Sequence, residues 1–166
     1  MKVVGEQLEK WAHTQSDFHK KNLFGRSAFN RYYYAVFLIT REMLSNYKSE
    51  WKRTPHAAIP DLLEKSLPKL VLNQLNNYQK KGLMTDRDVS RLRTTLKTAT
   101  SALANLLREA YETRVIADYE PEMVITIKEN AILLNHHNLS SASNWADRAN
   151  SYCKAIYKVR RDAGLD

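Results

Sequence analysis

Cysteine occurs once, at Cys153, so the chain can form no internal disulfide and no cysteine-built zinc cluster. A single thiol fits a reducing compartment. Glycine and proline number four each, too few glycines for most glycine-rich ligand loops. No stretch approaches the ~20 apolar residues of a membrane span, and the opening M-K-V-V-G-E-Q-L-E-K lacks the apolar run of a signal peptide. A cytoplasmic protein with no membrane partner is therefore expected. The sequence also lacks G-x-x-x-x-G-K-[ST], H-E-x-x-H and G-x-S-x-G, so the usual kinase, metalloprotease and hydrolase chemistries have no anchor. The adjacent His136 and His137 have no carboxylate at ligand spacing. Neighbouring histidines rarely share one ion, so a polar, solvated loop is expected there, with no metal and no cofactor.

What is abundant points to helices. The 166 residues fit one domain spanning 1–166. They are rich in Leu, Ala, Lys, Arg, Glu and Asn, and the few Gly and Pro imply short connections. Net charge is +8 and pI about 9.6, a balance that favours polyanions such as RNA, DNA or nucleotides.

Apolar spacing divides the chain. Val4, Leu8, Trp11 and Phe18 predict a first helix over about Val3 to Lys20, with His13 and His19 on its solvated face. A break is expected at Asn22 to Gly25, with Gly25 as terminator. Ser27 then caps a helix to about Trp51. Its three consecutive tyrosines, Tyr32 to Tyr34, widen the apolar face, as in a helix central to a bundle or shared with a partner chain. Those rings can be core with hydroxyls reaching polar partners, or surfaces on which bases stack. Thr54 and Pro55 open a short helix over His56 to Ser66, and Pro68 begins another segment, Lys69 to Lys81. Thr85 or Asp86 caps the strongest pattern, running to about Asp118. Val124–Ile127 and Ala131–Leu134 predict a β-hairpin within about 122–135, although a helix over its second half also fits. Ser140 or Ser141 caps a last helix that ends in a basic cluster, Lys158, Arg160 and Arg161. Those charges complement the helix dipole or form a basic patch. The fold class expected is all-α: an up-down bundle of about five helices with a small β-hairpin insert.

The stretch Glu109 to Pro121, E-A-Y-E-T-R-V-I-A-D-Y-E-P, ends the longest helix on a polar set. Arg114 and Asp118 are four apart, so they share a face and can pair. Tyr119 stands just before Glu120-Pro121, where the proline stops the helix. Two readings stay open. Arg114, Asp118 and Tyr119 can latch this helix to the tyrosine-rich one, or they can face a phosphate or nucleotide together with Arg26, Arg31 or the late basic cluster.

Three stretches together resemble the HEPN family over about residues 5 to 160. G-R-S-A-F-N-R-Y-Y-Y-A-V-F-L-I-T-R-E-M-L (Gly25 to Leu44) is similar to its S-R-A-Y-Y-A-x-F helix. T-P-H-A-A-I-P-D-L-L (Thr54 to Leu63) is similar to its short histidine-led helix, and Y-E-T-R-V-I-A-D-Y-E-P (Tyr111 to Pro121) to its late R-x-x-A-D-Y motif. The resemblance implies a helical bundle that forms a homodimer. It also implies a place in toxin-antitoxin or antiphage defence, often beside a nucleotidyltransferase or another defence-operon protein. Catalytic members are metal-independent endoribonucleases that carry a histidine five to seven residues after an arginine. No arginine of this chain has one. After Arg114 those positions hold Tyr119, Glu120 and Pro121; a carboxylate at Asp118 repels phosphate, and a phenol is a poor general base near neutrality. His56 is the candidate replacement, provided that folding brings it to Arg114. The candidate catalytic set is thus Arg114, Asp118, Tyr119 and His56. The candidate RNA- or nucleotide-binding set is Arg26, Asn30, Arg31, Tyr33, Lys158, Arg160 and Arg161. Three functions follow as expectations: a helical protein binding RNA or a nucleotide beside a protein partner and lacking standard catalysis, an endoribonuclease toxin using non-standard residues, or a protein-binding scaffold.

Overall fold

The computed structural model describes residues 1–165. They form an all-α fold with a small β insert, as expected. Helices α1 (Lys2–Thr14), α2 (Phe18–Ser45), α3 (Ile59–Asp61), α4 (Leu67–Lys80), α5 (Asp86–Tyr119), α6 (Leu139–Ser143) and α7 (Trp145–Asp162) accompany strands β1 (Ile125–Lys128), β2 (Ala131–Leu134) and β3 (His137–Asn138). Five of these helices are long, the number the sequence predicts. Among the described residues no helix is long and apolar enough to cross a membrane. The chain resolves into two compact units, one of residues 1–38 and 107–148, the other of 39–106 and 149–165. The boundary falls within α2, α5 and α7.

In the first unit the break after α1 comes at residues 15–17, not at Asn22 to Gly25. Asp17 explains this: its carboxylate accepts from the Lys20 N–H at 3.0 Å, capping α2. Gly25 lies inside α2, where a Cβ would come within 3.3 Å of Ile125 and 3.4 Å of Ile132. It is a packing glycine rather than a terminator. The apolar stripe of α1 also faces the other way from the expectation. Val4, Trp11 and Phe18 are about half exposed, whereas Gly5 and Ala12 are buried. A Cβ on Gly5 would stand 2.6 Å from the Tyr32 ring. His13 and His19 are exposed, as predicted.

The hairpin forms as expected. β1 and β2 pair antiparallel, with Ile125 opposite Leu134 and Lys128 opposite Ala131. Glu129 and Asn130 make the two-residue turn with φ of 47° and 67°, the left-handed pair of a type I′ connection. His136 lies in an exposed turn, as expected, but His137 departs from the solvated loop: it is buried and belongs to β3, opposite Leu134. Asn138, not Ser140 or Ser141, caps the helix that follows, accepting from the Ser140 N–H at 2.8 Å. Phe29 and Trp145, with ring centroids 6.5 Å apart, lie in this unit's core.

The second unit differs from the sequence reading mainly around Pro68. The two short helices expected there are one nearly continuous rod from Ile59 to Lys80, through a π-helical stretch at Leu62–Ser66. Proline inside an α-helix has no N–H and its ring meets the carbonyl four residues back. A wider π turn just before Pro68 accommodates both effects. Thr85 caps α5, its hydroxyl accepting from the Asp88 N–H at 3.2 Å. Leu63, Leu67, Val71, Leu75, Leu92, Leu96, Leu103, Ile156 and Val159 are buried here. Cys153 is buried on α7, and burial pushes its thiol up to about 12.

Candidate functional site

The end of α5 is held by α2. The last carbonyls of a helix have no partner within it. The Ala117 carbonyl would accept from the N–H of residue 121, but that residue is proline and has none. Arg26 supplies the missing donors. Its Nε donates to the Ala117 oxygen at 2.9 Å, Nη2 to Ile116 at 3.1 Å, and Nη1 to Glu120 at 3.0 Å and Met123 at 2.5 Å. The guanidinium is thereby committed to backbone. Asn22, one turn earlier, accepts from the Ile125 N–H at 3.0 Å and moors the hairpin to α2.

Arg114, Asp118 and Tyr119 come together as their spacing predicts. Arg114 Nε stands 2.7 Å from Asp118 Oδ2, a close ion pair whose N–H does not point at the oxygen. Arg114 Nη2 donates to the Tyr119 hydroxyl at 3.2 Å, and its Cζ lies 4.9 Å from that ring's centre. Burial opposes the Arg114 charge, but the Tyr119 hydroxyl and Asp118 outweigh it and raise its pKa. Asn30 donates its amide to both Asp118 oxygens, at 2.7 and 2.8 Å. That cross-helix bond is a latch between α2 and α5. Tyr33 lies beneath it, 1% exposed, against Phe37, Tyr34 and Tyr111. Burial pushes its phenol well above the ordinary value, and Arg114's positive charge only partly offsets this. Its ring offers no face to an incoming base.

Beside the latch opens a cleft of about 570 Å³, lined by His19, Asn22, Leu23, Arg26, Ser27, Asn30 and Arg31 from α2, and by Ala117, Asp118, Pro121 and Val124. His19, Leu23, Ser27 and Arg31 recur every four residues and so form one face of α2. Arg31 makes no hydrogen bond or ion pair among the described residues. A guanidinium with five unused donors, next to a hydroxyl and an imidazole, suits a phosphate. The sequence marks none of His19, Leu23 and Ser27 as a site residue: His19 is expected on a solvated face, and Ser27, expected as a helix cap, lies inside α2. Their four-residue register was the available signal, and the break expected at Asn22 to Gly25 cut through it.

The other candidates belong to the second unit. His56 sits in the second unit, on the 3₁₀ turn His56–Ala58. Lys158, Arg160 and Arg161 also belong to that unit. Arg160 donates to the Leu165 carbonyl at 3.0 Å and stacks on Tyr47 at 5.1 Å, so part of the basic patch closes the end of its own helix. Arg161 stands 3.6 Å from Asp162. A smaller cleft of about 310 Å³ in the first unit is lined by Glu109, His136, His137, Asn138, Ser141 and Trp145. Burial and the neighbouring His136 lower the His137 pKa, with Glu109 and Glu112 partly compensating. Among the described residues no group of three or more His, Cys, Asp or Glu could hold a metal ion.

No family model matches the chain, and neither a curated protein nor a solved structure matches it. The likeness to HEPN domains rests on the three sequence stretches alone.

Proposed function

We propose that this is a HEPN-like protein that binds RNA or a nucleotide through the cleft on α2, without standard ribonuclease catalysis. It acts in the cytoplasm as a homodimer beside a partner protein of a toxin-antitoxin or antiphage system. The observation that carries the binding reading is Arg31: an uncommitted guanidinium in a concave site, on a chain of net charge +8. The latch beside this cleft argues against catalysis. Arg114 is occupied by Asp118 and Tyr119, and Asp118 already accepts two bonds from Asn30. Neither is left as a free acid or base to work on a ribose hydroxyl.

Binding of a labelled RNA and of labelled nucleotides, measured between about 50 and 200 mM salt, tests this reading. RNA affinity should fall steeply with salt, and Arg31→Ala should weaken binding about tenfold or more, the loss of one charge-assisted contact. Undetectable binding at low salt, or binding indifferent to both salt and Arg31, would overturn it. Wild-type protein should leave RNA intact in chelator; metal-free cleavage abolished by Arg114→Ala would restore the ribonuclease reading.

A further inference from the structure

The second unit carries a cleft that no reading so far has used. It has a volume of about 390 Å³ and is lined by Lys48, Trp51, Ser66, Lys69, Leu70 and Asn73. Trp51 sits on the 3₁₀ turn Ser49–Arg53 and is half-buried, and Lys48 Nζ lies 5.6 Å from its ring centre. Lys69 is exposed and makes no hydrogen bond or ion pair among the described residues. Lys52 and Arg53 follow the tryptophan on the same turn and are exposed. The one carboxylate on that turn, Glu50, stands 3.7 Å from Lys48 and is itself largely solvated. An aromatic ring sharing a cleft with two lysines, a hydroxyl and an amide combines the two features that hold unpaired nucleotides: a platform for the base and positive charge for the phosphates. A purely structural tryptophan would not need two lysines in its cleft, and a purely solvated basic turn would not need a tryptophan lining a cleft.

We propose that this cleft binds single-stranded nucleic acid, with one base stacked on Trp51 and the adjoining phosphates against Lys48 and Lys69. This deepens the RNA-binding reading and rests on it, but uses different residues. The test is titration of fluorescein-labelled oligouridine into the full chain, by anisotropy, with inorganic polyphosphate as a polyanion that has no bases. Trp51→Ala should weaken oligouridine binding about tenfold, the usual cost of one lost base stack, and leave polyphosphate binding unchanged. Trp51→Phe, which keeps a ring, should retain most of the affinity and guards against a folding defect. Lys69→Glu should weaken both ligands and flatten the salt dependence. If the wild type binds oligouridine and Arg31→Ala weakens it while Trp51→Ala does not, this inference fails and the α2 cleft stands. Equal loss of oligouridine and polyphosphate in Trp51→Ala would also overturn the stacking role. If the wild type binds oligouridine at no salt concentration, both readings fall together.

Discussion

Four backbone carbonyls converge on one guanidinium at Arg26, from residues 90 to 97 positions later in the chain. Each charge-assisted bond contributes more than a neutral one, so truncation to Arg26→Ala should lower stability by on the order of 3 kcal/mol. The urea midpoint should drop, and Arg26→Lys should recover little, because a single ammonium cannot span four diverging oxygens. None of this is legible in the sequence, where Arg26 is one basic residue among many. The i,i+4 pair of Arg114 and Asp118 was legible, because helical spacing alone brings those two charges together. Whether a charge is free or spent depends on groups far away in the chain. That is why Arg26 and Arg31 look alike on paper and differ in the fold.

His137 gives a pH dependence with a definite sign. Burial and His136 hold its folded-state pKa below the ordinary 6.5. As pH falls through that value the unfolded chain takes up a proton that the folded chain refuses. Stability contributed by the neutral imidazole is therefore complete above about 6.5 and is lost on acidification towards the lower folded value. Urea unfolding from pH 8 to pH 5 should show a shallower decline for His137→Gln than for wild type. An identical decline in the two proteins would remove His137 as the cause.

At the scale of elements, α5 and the hairpin were readable because their signals are local: an unbroken three-four apolar rhythm in one, β-branched runs around a short polar turn in the other. The direction that α1 faces was not. A stripe of large apolar residues at helical spacing shows amphipathicity, but not which side meets the rest of the unit. Here Gly5 and Ala12 make the contact, because only small side chains let α1 approach Tyr32 so closely. Replacing Gly5 by Ala would add about 1 kcal/mol of helix propensity. It would also drive a methyl to within 2.6 Å of a ring that is itself bonded to Glu9 at 2.5 Å. Overpacking of this kind costs about 1–3 kcal/mol, so Gly5→Ala should lower the melting temperature despite the better helix former. A rise would mean that Tyr32 swings aside freely.

For the molecule as a whole, the fold class followed from what the sequence lacks and from its helical rhythm, while the division into two units did not. Their boundary crosses α2, α5 and α7 without any change in composition, so no linker or proline-rich seam marks it. The one thiol, enclosed on α7 with its ionisation pushed up to about 12, turns this into something measurable. The thiolate, not the thiol, attacks alkylating and disulfide reagents, so the native chain should resist labelling that completes rapidly in urea. The labelling rate in buffer then serves as an internal clock, counting how often the second unit opens far enough to let a reagent molecule in.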